Sequence, residues 1–215
     1  MAGAYSSAQL LDAFLQCITN KIIPRTARGV AEGSKVFGAA ILRKEDLSVV
    51  IAETNNEKEC PLYHGEVHTI KCFYEIPTQQ RPSPKDCIFL TTHEPCSLCL
   101  SAITWSGFDN FYYLFTYEDT RDAFSIPYDI EITQEVFQNP TVGGEASGER
   151  ASRSLYNRKN KFFEAMSITA LVEAIEDEAD RFIFAARIAV IKKQYAALSD
   201  DYQKQKGTAG AIAFK

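Results

Sequence analysis

Two short motifs, well separated along the chain, constrain its fold more than any other feature of the sequence. The first is His64-Gly65-Glu66 and the second is Pro95-Cys96-Ser97-Leu98-Cys99. One imidazole nitrogen and two thiolates are typical protein ligands of Zn²⁺, and three such ligands leave a fourth tetrahedral position open for water. A zinc ion of this kind lowers the pKa of its bound water from ~16 to ~7. A fold that uses the motifs in this way must bring both of them to one point.

The local spacing predicts that each motif begins a helix. Cys96 and Cys99 are three residues apart and would therefore be neighbours on one helical face. Pro95 suits the start of a helix, and a helix N-terminus favours a thiolate over a thiol. His64 also begins a stretch with apolar residues at helical spacing, namely Val67, Ile70 and Tyr74. We therefore expect two helix starts to face one metal ion.

The presence of Glu66 indicates which kind of zinc site, catalytic or structural, the motifs predict. With three ligands already present, this carboxylate is free to take a proton from water and to pass it to a substrate nitrogen. The alternative is a closed structural site, in which His68 or His93 supplies a fourth ligand. Glu66 would then have no role, so the open site is favoured.

The two motifs together match the H-x-E…P-C-x-x-C signature of the zinc deaminases. The flanking residues resemble the cytidine deaminase superfamily over roughly residues 30–137. Four stretches carry this resemblance: residues 36–42 and 49–55 as strands, 94–103 as the second metal helix, and 110–114 as a further strand. Within the superfamily, residues 37–39, 102–105 and 117–120 are most similar to the guanine deaminase branch. The His64-Gly65-Glu66 triplet is more similar to yeast-type cytosine deaminase, because the guanine branch usually has Ala in the middle.

The resemblance implies a three-layer α/β/α fold with a mixed sheet, and a zinc-dependent hydrolytic reaction that removes an exocyclic amine. It assigns His64, Cys96 and Cys99 as zinc ligands and Glu66 as the proton shuttle. It also implies a small-molecule nucleobase or nucleoside substrate and a homodimer.

Candidate substrate contacts are Asn55, Phe37, Trp105 and Asp119. Asn55 ends a strand on the active-site side by the family pattern, although Asn55-Asn56 is also good turn chemistry. Phe37 could stack on a planar base, but packing in the core is an equal alternative. For Trp105 burial in the core is the first interpretation and the pocket wall the second. Asp119, like Asp122, falls where the guanine branch places acidic substrate contacts, and a solvated loop is the alternative.

The order of elements is predicted as β-β-α-β-α-β, preceded by a helix from Ser6-Ser7 to Pro24 and a polar loop over 24–35. Glycines and Asn139-Pro140 mark a boundary. We therefore divide the chain into a deaminase domain (1–137), a linker (138–150) and a C-terminal helical extension (151–215). Residues 151–206 are predicted to be helical and to pack against the core or across a dimer, and a lid or substrate-contacting tail is the alternative. The basic residues around Arg158 and Lys159 are interpreted as a mixed solvated face.

Composition excludes several classes of function. The formal net charge of −5 argues against a broad surface for nucleic acid. There is no run of 18 apolar residues, so no membrane span is expected, and the N-terminus lacks signal-peptide features. We expect a cytoplasmic protein with free thiols. The favoured substrate is a guanine-like free purine, followed by cytosine or cytidine, and then by a base within tRNA or other nucleic acid. An inactive deaminase fold serving as an interaction module is the remaining alternative, and Glu66 argues against it.

Overall fold

A computed structural model describes residues 5–137 and 155–205. One mixed five-stranded sheet lies at its centre, with the strand order β2-β1-β3-β4-β5. The strands are β1 (Gly38–Arg43), β2 (Val49–Thr54), β3 (Cys87–His93), β4 (Asn110–Phe115) and β5 (Glu164–Ser167). Strand β1 pairs antiparallel with β2 and β3, whereas β3, β4 and β5 run parallel. The predicted hairpin and the predicted mixed sheet are confirmed.

Helices surround this sheet and follow the predicted order. They are α1 (Ser7–Cys17), α2 (Ile23–Ala31), α3 (Gly65–Glu75), α4 (Ser97–Trp105), α5 (Tyr117–Phe124), α6 (Tyr128–Glu135), α7 (Ile168–Glu173) and α8 (Glu178–Gln205). A π-helical turn (Ile18–Ile22) joins α1 to α2, and a 3₁₀ turn (Pro84–Asp86) precedes β3.

The N-terminal helical run is longer than the sequence predicted. Pro24 does not end it, because Pro24 lies in the first turn of α2, where a residue without an N–H group is tolerated. The π-helical turn before it makes the transition between the two helices. The prediction of a loop over residues 24–35 is therefore wrong as far as Ala31, where α2 ends.

Apolar side chains cover both faces of the sheet, and this creates three layers. Along β1 and β3, successive residues alternate between two clusters, as side chains of a strand must. One cluster joins the sheet to α1 and α8 through residues such as Phe14 and Ile191. The other joins it to α3 and α4 through Phe73 and Ile103. The predicted α/β/α architecture is confirmed.

The C-terminal part of the chain contains a strand as well as helices. Residues 164–167 pair in parallel with β4 and add the fifth strand, so the prediction of helix throughout 151–206 is wrong there. Helix α8 buries Phe184, Ile191 and Tyr195 in the first cluster, which confirms packing against the core. The predicted linker and the residues after 205 lie outside the described residues, and the domain boundaries stay a prediction.

None of the helices in residues 5–137 and 155–205 has both the length and the apolar composition that a membrane span requires.

Candidate metal centre and active site

The N-termini of α3 and α4 meet at one point, as the two motifs predicted. His64 is the residue immediately before α3, and Cys96 is the residue immediately before α4. Their ligand atoms and the Cys99 Sγ all lie within 4.8 Å of one another. The His64 Nδ1 is 3.5 Å from the Cys96 Sγ and 3.8 Å from the Cys99 Sγ.

These distances fit a tetrahedral zinc site. With zinc bonded to sulfur at about 2.3 Å and to nitrogen at about 2.05 Å, neighbouring ligand atoms should be about 3.5 to 3.8 Å apart. The two measured distances from His64 fall in that range. Within the described part of the chain, this cluster is the single group of three potential ligands that could hold a metal ion.

The two remaining histidines lie elsewhere. The His68 Nδ1 is 2.8 Å from the carbonyl oxygen of Thr54, and His68 stays outside the cluster. His93 is buried, with its Nδ1 2.9 Å from the Thr92 hydroxyl. Among residues 5–137 and 155–205, no fourth protein ligand joins the three, so the geometry favours an open site over a closed structural one.

The three ligand side chains influence one another's pKa values. A hydrogen bond from Cys99, together with the contact to His64, holds the pKa of Cys96 well below its usual value. Burial raises the pKa of Cys99 well above the ordinary thiol value. Burial alone would lower the pKa of His64, but its hydrogen bond and charge interaction with Cys96 raise that pKa to about 9. A thiolate here at the start of α4 is the form that binds metal.

Glu66 is fixed beside the ligand atoms. Its side chain is buried, its Oε1 accepts a 2.9 Å hydrogen bond from the Thr91 hydroxyl, and its Oε2 is 3.2 Å from the Cys99 Sγ. Burial, and then the charge of Cys96, raises the pKa of Glu66. Thr91 is a partner that the sequence did not reveal, because it lies inside the apolar strand β3.

Asn55 follows β2 and reaches the first turn of α3. Its Oδ1 accepts a 2.6 Å hydrogen bond from the Gly65 N–H, and its own backbone N–H donates to the Phe37 carbonyl. The side-chain Nδ2 is buried and has no partner among the described residues. An amide donor of this kind is suited to an acceptor on a ligand.

The structure places the two aromatic candidates, Phe37 and Trp105, in different surroundings. Phe37 belongs to the core cluster and packs edge to face against His93, with ring centroids 4.4 Å apart, so core packing is its structural role. Trp105 is 91% exposed at the last residue of α4, and the expectation that it is buried in the core is wrong. Cys99 lies in the first turn of the same helix, so Trp105 stands at the opposite end from the metal ligands.

Asp119 stabilises a helix start. Its Oδ2 accepts from the Thr116 N–H at 3.2 Å in a capping box, and it forms an ion pair with Lys192 at 3.4 Å. Asp122 pairs with the neighbouring Arg121 and is exposed. A substrate contact through Asp119 therefore stays a prediction that these hydrogen bonds do not support.

Glu94 and Arg158 form a contact that the sequence interpretation missed. Glu94 is buried and accepts from the Arg158 guanidinium at 2.9 Å, from the Tyr156 hydroxyl at 2.9 Å and from the Tyr117 N–H at 3.2 Å. Arg158 therefore does more than belong to a mixed solvated face. It ties the C-terminal part of the chain to the residue two positions before Cys96.

Asp129 on α6 is a further acidic group at the site. Desolvation, followed by the charges of Cys96 and Glu66, raises the pKa of Asp129 to about 8. Helix α6, which carries Asp129, packs against α4, which carries Cys99. The sequence offered no signal for it, because Asp129 lies in a short helix after Pro127 with no recognisable motif.

Gly65, the middle residue of the first motif, lies against the start of β1. A Cβ at this position would come within 2.7 Å of the Gly38 Cα and 2.9 Å of its nitrogen. Those atoms belong to backbone and cannot rotate away. The close approach of α3 to β1 explains why this chain has Gly where the guanine branch usually has Ala.

Gly65→Ala is therefore expected to destabilise the protein by ~1–3 kcal/mol, the usual range for overpacking, and to weaken zinc binding by displacing His64. Denaturant unfolding and a chelator competition measure the two effects. Glu75→Ala, at the exposed end of α3, is the matched control. Unchanged stability and zinc affinity in Gly65→Ala would contradict the packing argument.

Part of the chain matches a known protein family model. Residues 16–115 match the family model described as the cytidine and deoxycytidylate deaminase zinc-binding region. A curated relative, a cytosine deaminase of Candida albicans, is 29% identical over 89 residues, which are 40% of this chain and 56% of that protein. The match thus spans little more than half of the curated relative.

One solved structure shares the fold at low sequence identity, and a second is similar over most of its length. A mutant of the protein NE0047 in complex with 8-azaguanine superposes with a TM-score of 0.50 and 14% identity, covering 88% of this chain and 84% of that one. A guanine deaminase from Nitrosomonas europaea gives a TM-score of 0.47 and 16% identity, over 82% of this chain and 81% of that one.

The fold and the ligand cluster together have the arrangement of a zinc-binding α/β domain. Residues 16–115, a little under half of the chain, match the cytidine and deoxycytidylate deaminase zinc-binding region. The cluster of His64, Cys96 and Cys99 is suited to hold the zinc of that family.

Proposed function

We propose that the protein is a zinc-dependent hydrolytic deaminase of an aminated nucleobase, with a guanine-like purine as the first candidate substrate. One observation carries this proposal. The buried Glu66 carboxylate lies 3.2 Å from a sulfur of the ligand cluster and is oriented by Thr91. A structural zinc site has no use for a carboxylate held in that position.

The overall reaction converts an exocyclic amine and water into a carbonyl and ammonia. Zinc, when bound, supplies a water that is activated at neutral pH. The chain's own contribution is proton transfer. Glu66 takes a proton from the water, gives it to a ring nitrogen, and then carries a second proton to the departing amine. The raised pKa of Glu66 makes its carboxylate a stronger base for the proton of the water.

Two side chains support a planar, polar substrate. The unpartnered Asn55 Nδ2 offers a donor to an acceptor on the ring edge. Asp129 is a second candidate, because the charges of Cys96 and Glu66 act on its carboxyl group. A carboxyl oxygen can accept from a ring N–H whether the group is protonated or ionised. Because a nucleoside bears its sugar where a free base has an N–H, a contact of this kind with Asp129 would favour the free base.

Cytosine is the second candidate. The curated relative is named a cytosine deaminase, and the Gly65 of this chain is the middle residue found in the yeast-type enzymes. A structure described as a guanine deaminase and one with bound 8-azaguanine share the fold, which supports the purine only as an analogy. The net charge of −5 makes a base within tRNA a weaker candidate. A homodimer and a cytoplasmic location stay predictions.

Ammonia release from a panel of substrates tests the proposal. The zinc-loaded protein should release ammonia from at least one free base, and guanine should be turned over faster than cytosine, guanosine or cytidine. Glu66→Gln serves as the inactive control in each assay. Faster turnover of a nucleoside than of its base would contradict the role of Asp129. Absence of ammonia from every compound in the panel, with one zinc bound per chain, would favour the inactive interaction module.

A further inference from the structure

An ion pair that the proposed reaction does not use is buried next to the site. The Lys35 Nζ lies 2.6 Å from the Glu57 Oε1, and the Lys35 backbone N–H donates to the Glu57 Oε2 at 2.8 Å. The Glu57 side chain is 0% exposed and that of Lys35 is 9% exposed. Both nitrogens of one residue therefore hold the two oxygens of a single carboxylate.

A buried pair of this kind needs a reason beyond stability. Removing two charges from water costs about as much as their attraction returns, and apolar side chains of similar volume often serve equally well. The backbone N–H of Lys35 adds a directional contact that an apolar pair could not provide. The pair therefore fixes the position of Glu57 more than it stabilises the fold.

Glu57 lies in the loop that joins two functional groups. This loop, residues 55–64, begins at Asn55 and ends at His64, and its ends are linked by the bond from the Gly65 N–H to the Asn55 Oδ1. Inside it, the Asn56 N–H donates to the Tyr63 carbonyl at 2.8 Å. The Lys35 contact attaches this loop to the segment before β1.

The surroundings of the pair also connect it to the site. The charge of Glu57 acts on His64, and the charge of Lys35 acts on Asp129. Tyr202 in α8 is buried, and the charge of Glu57 acts on it. The burial of the Lys35 and Glu57 side chains themselves keeps water away from the contact that holds the loop.

We propose that Glu57, held by both nitrogens of Lys35, is a positioning residue that keeps Asn55 and His64 at the separation required for zinc binding and substrate recognition. Glu57 acts through the loop and touches neither the metal nor the substrate. The effect of Glu57 on substrate recognition through Asn55 rests on the proposed function. Its effect on zinc binding through His64 rests on the geometry alone.

Two double variants separate positioning from loss of the ion pair. Lys35→Met with Glu57→Met removes the charges and the acceptor. Lys35→Met with Glu57→Gln also removes the charges, but its amide oxygen can still accept from the backbone N–H of residue 35. Each is compared with Lys44→Met combined with Asp109→Asn, which removes a 2.7 Å ion pair on another part of the sheet.

Three experiments are made: chelator competition for the zinc dissociation constant, the absorption spectrum of the Co²⁺-loaded protein, and steady-state kinetics for kcat and KM with the best base of the panel. The Met/Met variant is expected to bind zinc ~10- to 100-fold more weakly, with an altered Co²⁺ spectrum, and to lose ~10- to 100-fold in kcat/KM. The Met/Gln variant should recover at least ~3-fold of each loss, and the control pair should match the wild type.

A folded Met/Met variant whose zinc affinity, spectrum and kcat/KM stay within ~2-fold of the wild type would overturn the proposal. If that variant does not fold, Glu57→Asp decides, because its shorter carboxylate keeps the charge and must displace the loop or lose a bond. Unchanged zinc affinity and kcat/KM in folded Glu57→Asp would equally overturn it. If the wild type deaminates no compound, the proposed function fails, and zinc affinity with the Co²⁺ spectrum still tests the positioning of His64.

Discussion

Replacing Glu66 with Gln is expected to lower kcat by ~10²–10⁴-fold, the usual contribution of one general acid–base group. The loss should lie at the upper end, because one carboxylate serves several proton transfers. Gln preserves the size of the side chain and can still accept from the Thr91 hydroxyl. Zinc content should therefore stay at one per chain.

Single-turnover ammonia release and elemental analysis of the same preparation measure the two halves of this expectation. The matched control is Glu75→Gln, because Glu75 is exposed at the other end of α3. Near-normal turnover in Glu66→Gln with full zinc content would show that another group carries the protons. Loss of zinc together with activity would point instead to a structural role for the carboxylate.

The second large effect is expected at Asn55. Its Nδ2 is buried and has no hydrogen-bond partner among the described residues. A site with such a donor rejects a ligand that has no acceptor for it, because the donor would stay buried without a hydrogen bond. Asn55→Ala should lower kcat/KM by at least ~10²-fold, comparable with the removal of one preorganised donor from an active site. Asn56→Ala, one residue along the loop, should have little effect.

Asn55→Ala also removes the acceptor for the Gly65 N–H, so a second substitution is needed to separate the two roles. Asn55→Asp keeps that acceptor and loses the donor. If substrate recognition depends on the Nδ2 group, Asn55→Asp should lose nearly as much kcat/KM as Asn55→Ala, mainly through KM. Wild-type kinetics in Asn55→Asp would restrict Asn55 to capping the start of α3.

The metal centre was predictable because its residues carry their chemistry in a local pattern. A ligand at a helix start needs only its own turn, and the spacing of Cys96 and Cys99 already implies a shared face. His64 and Glu66 likewise occupy one turn. The long-range step, in which the two turns meet, followed from the requirement that three ligands share one ion.

The rest of the site could not be predicted in this way, because its members gain their roles from packing. Thr91 and Asp129 have no motif, and only the contacts of β3 and α6 bring them to the site. Trp105 has a large apolar side chain of the kind expected in a core, but it lies exposed at the end of a helix. The sequence predicts helix where β5 lies, because apolar spacing over so few residues does not distinguish a strand from a helix.

The burial of α8 against α1 has a consequence for how the protein folds during synthesis. An ion pair of 2.8 Å joins Asp12 to Arg187, and these residues are 175 positions apart in the chain. One apolar cluster likewise contains Leu11 and Tyr195. Contacts between such distant residues raise the contact order, and loop closure must precede any gain from them. The first cluster therefore cannot be completed until Tyr202 has left the ribosome. Until then, the part of the α1 surface that packs against α8 stays open to chaperones and to other nascent chains.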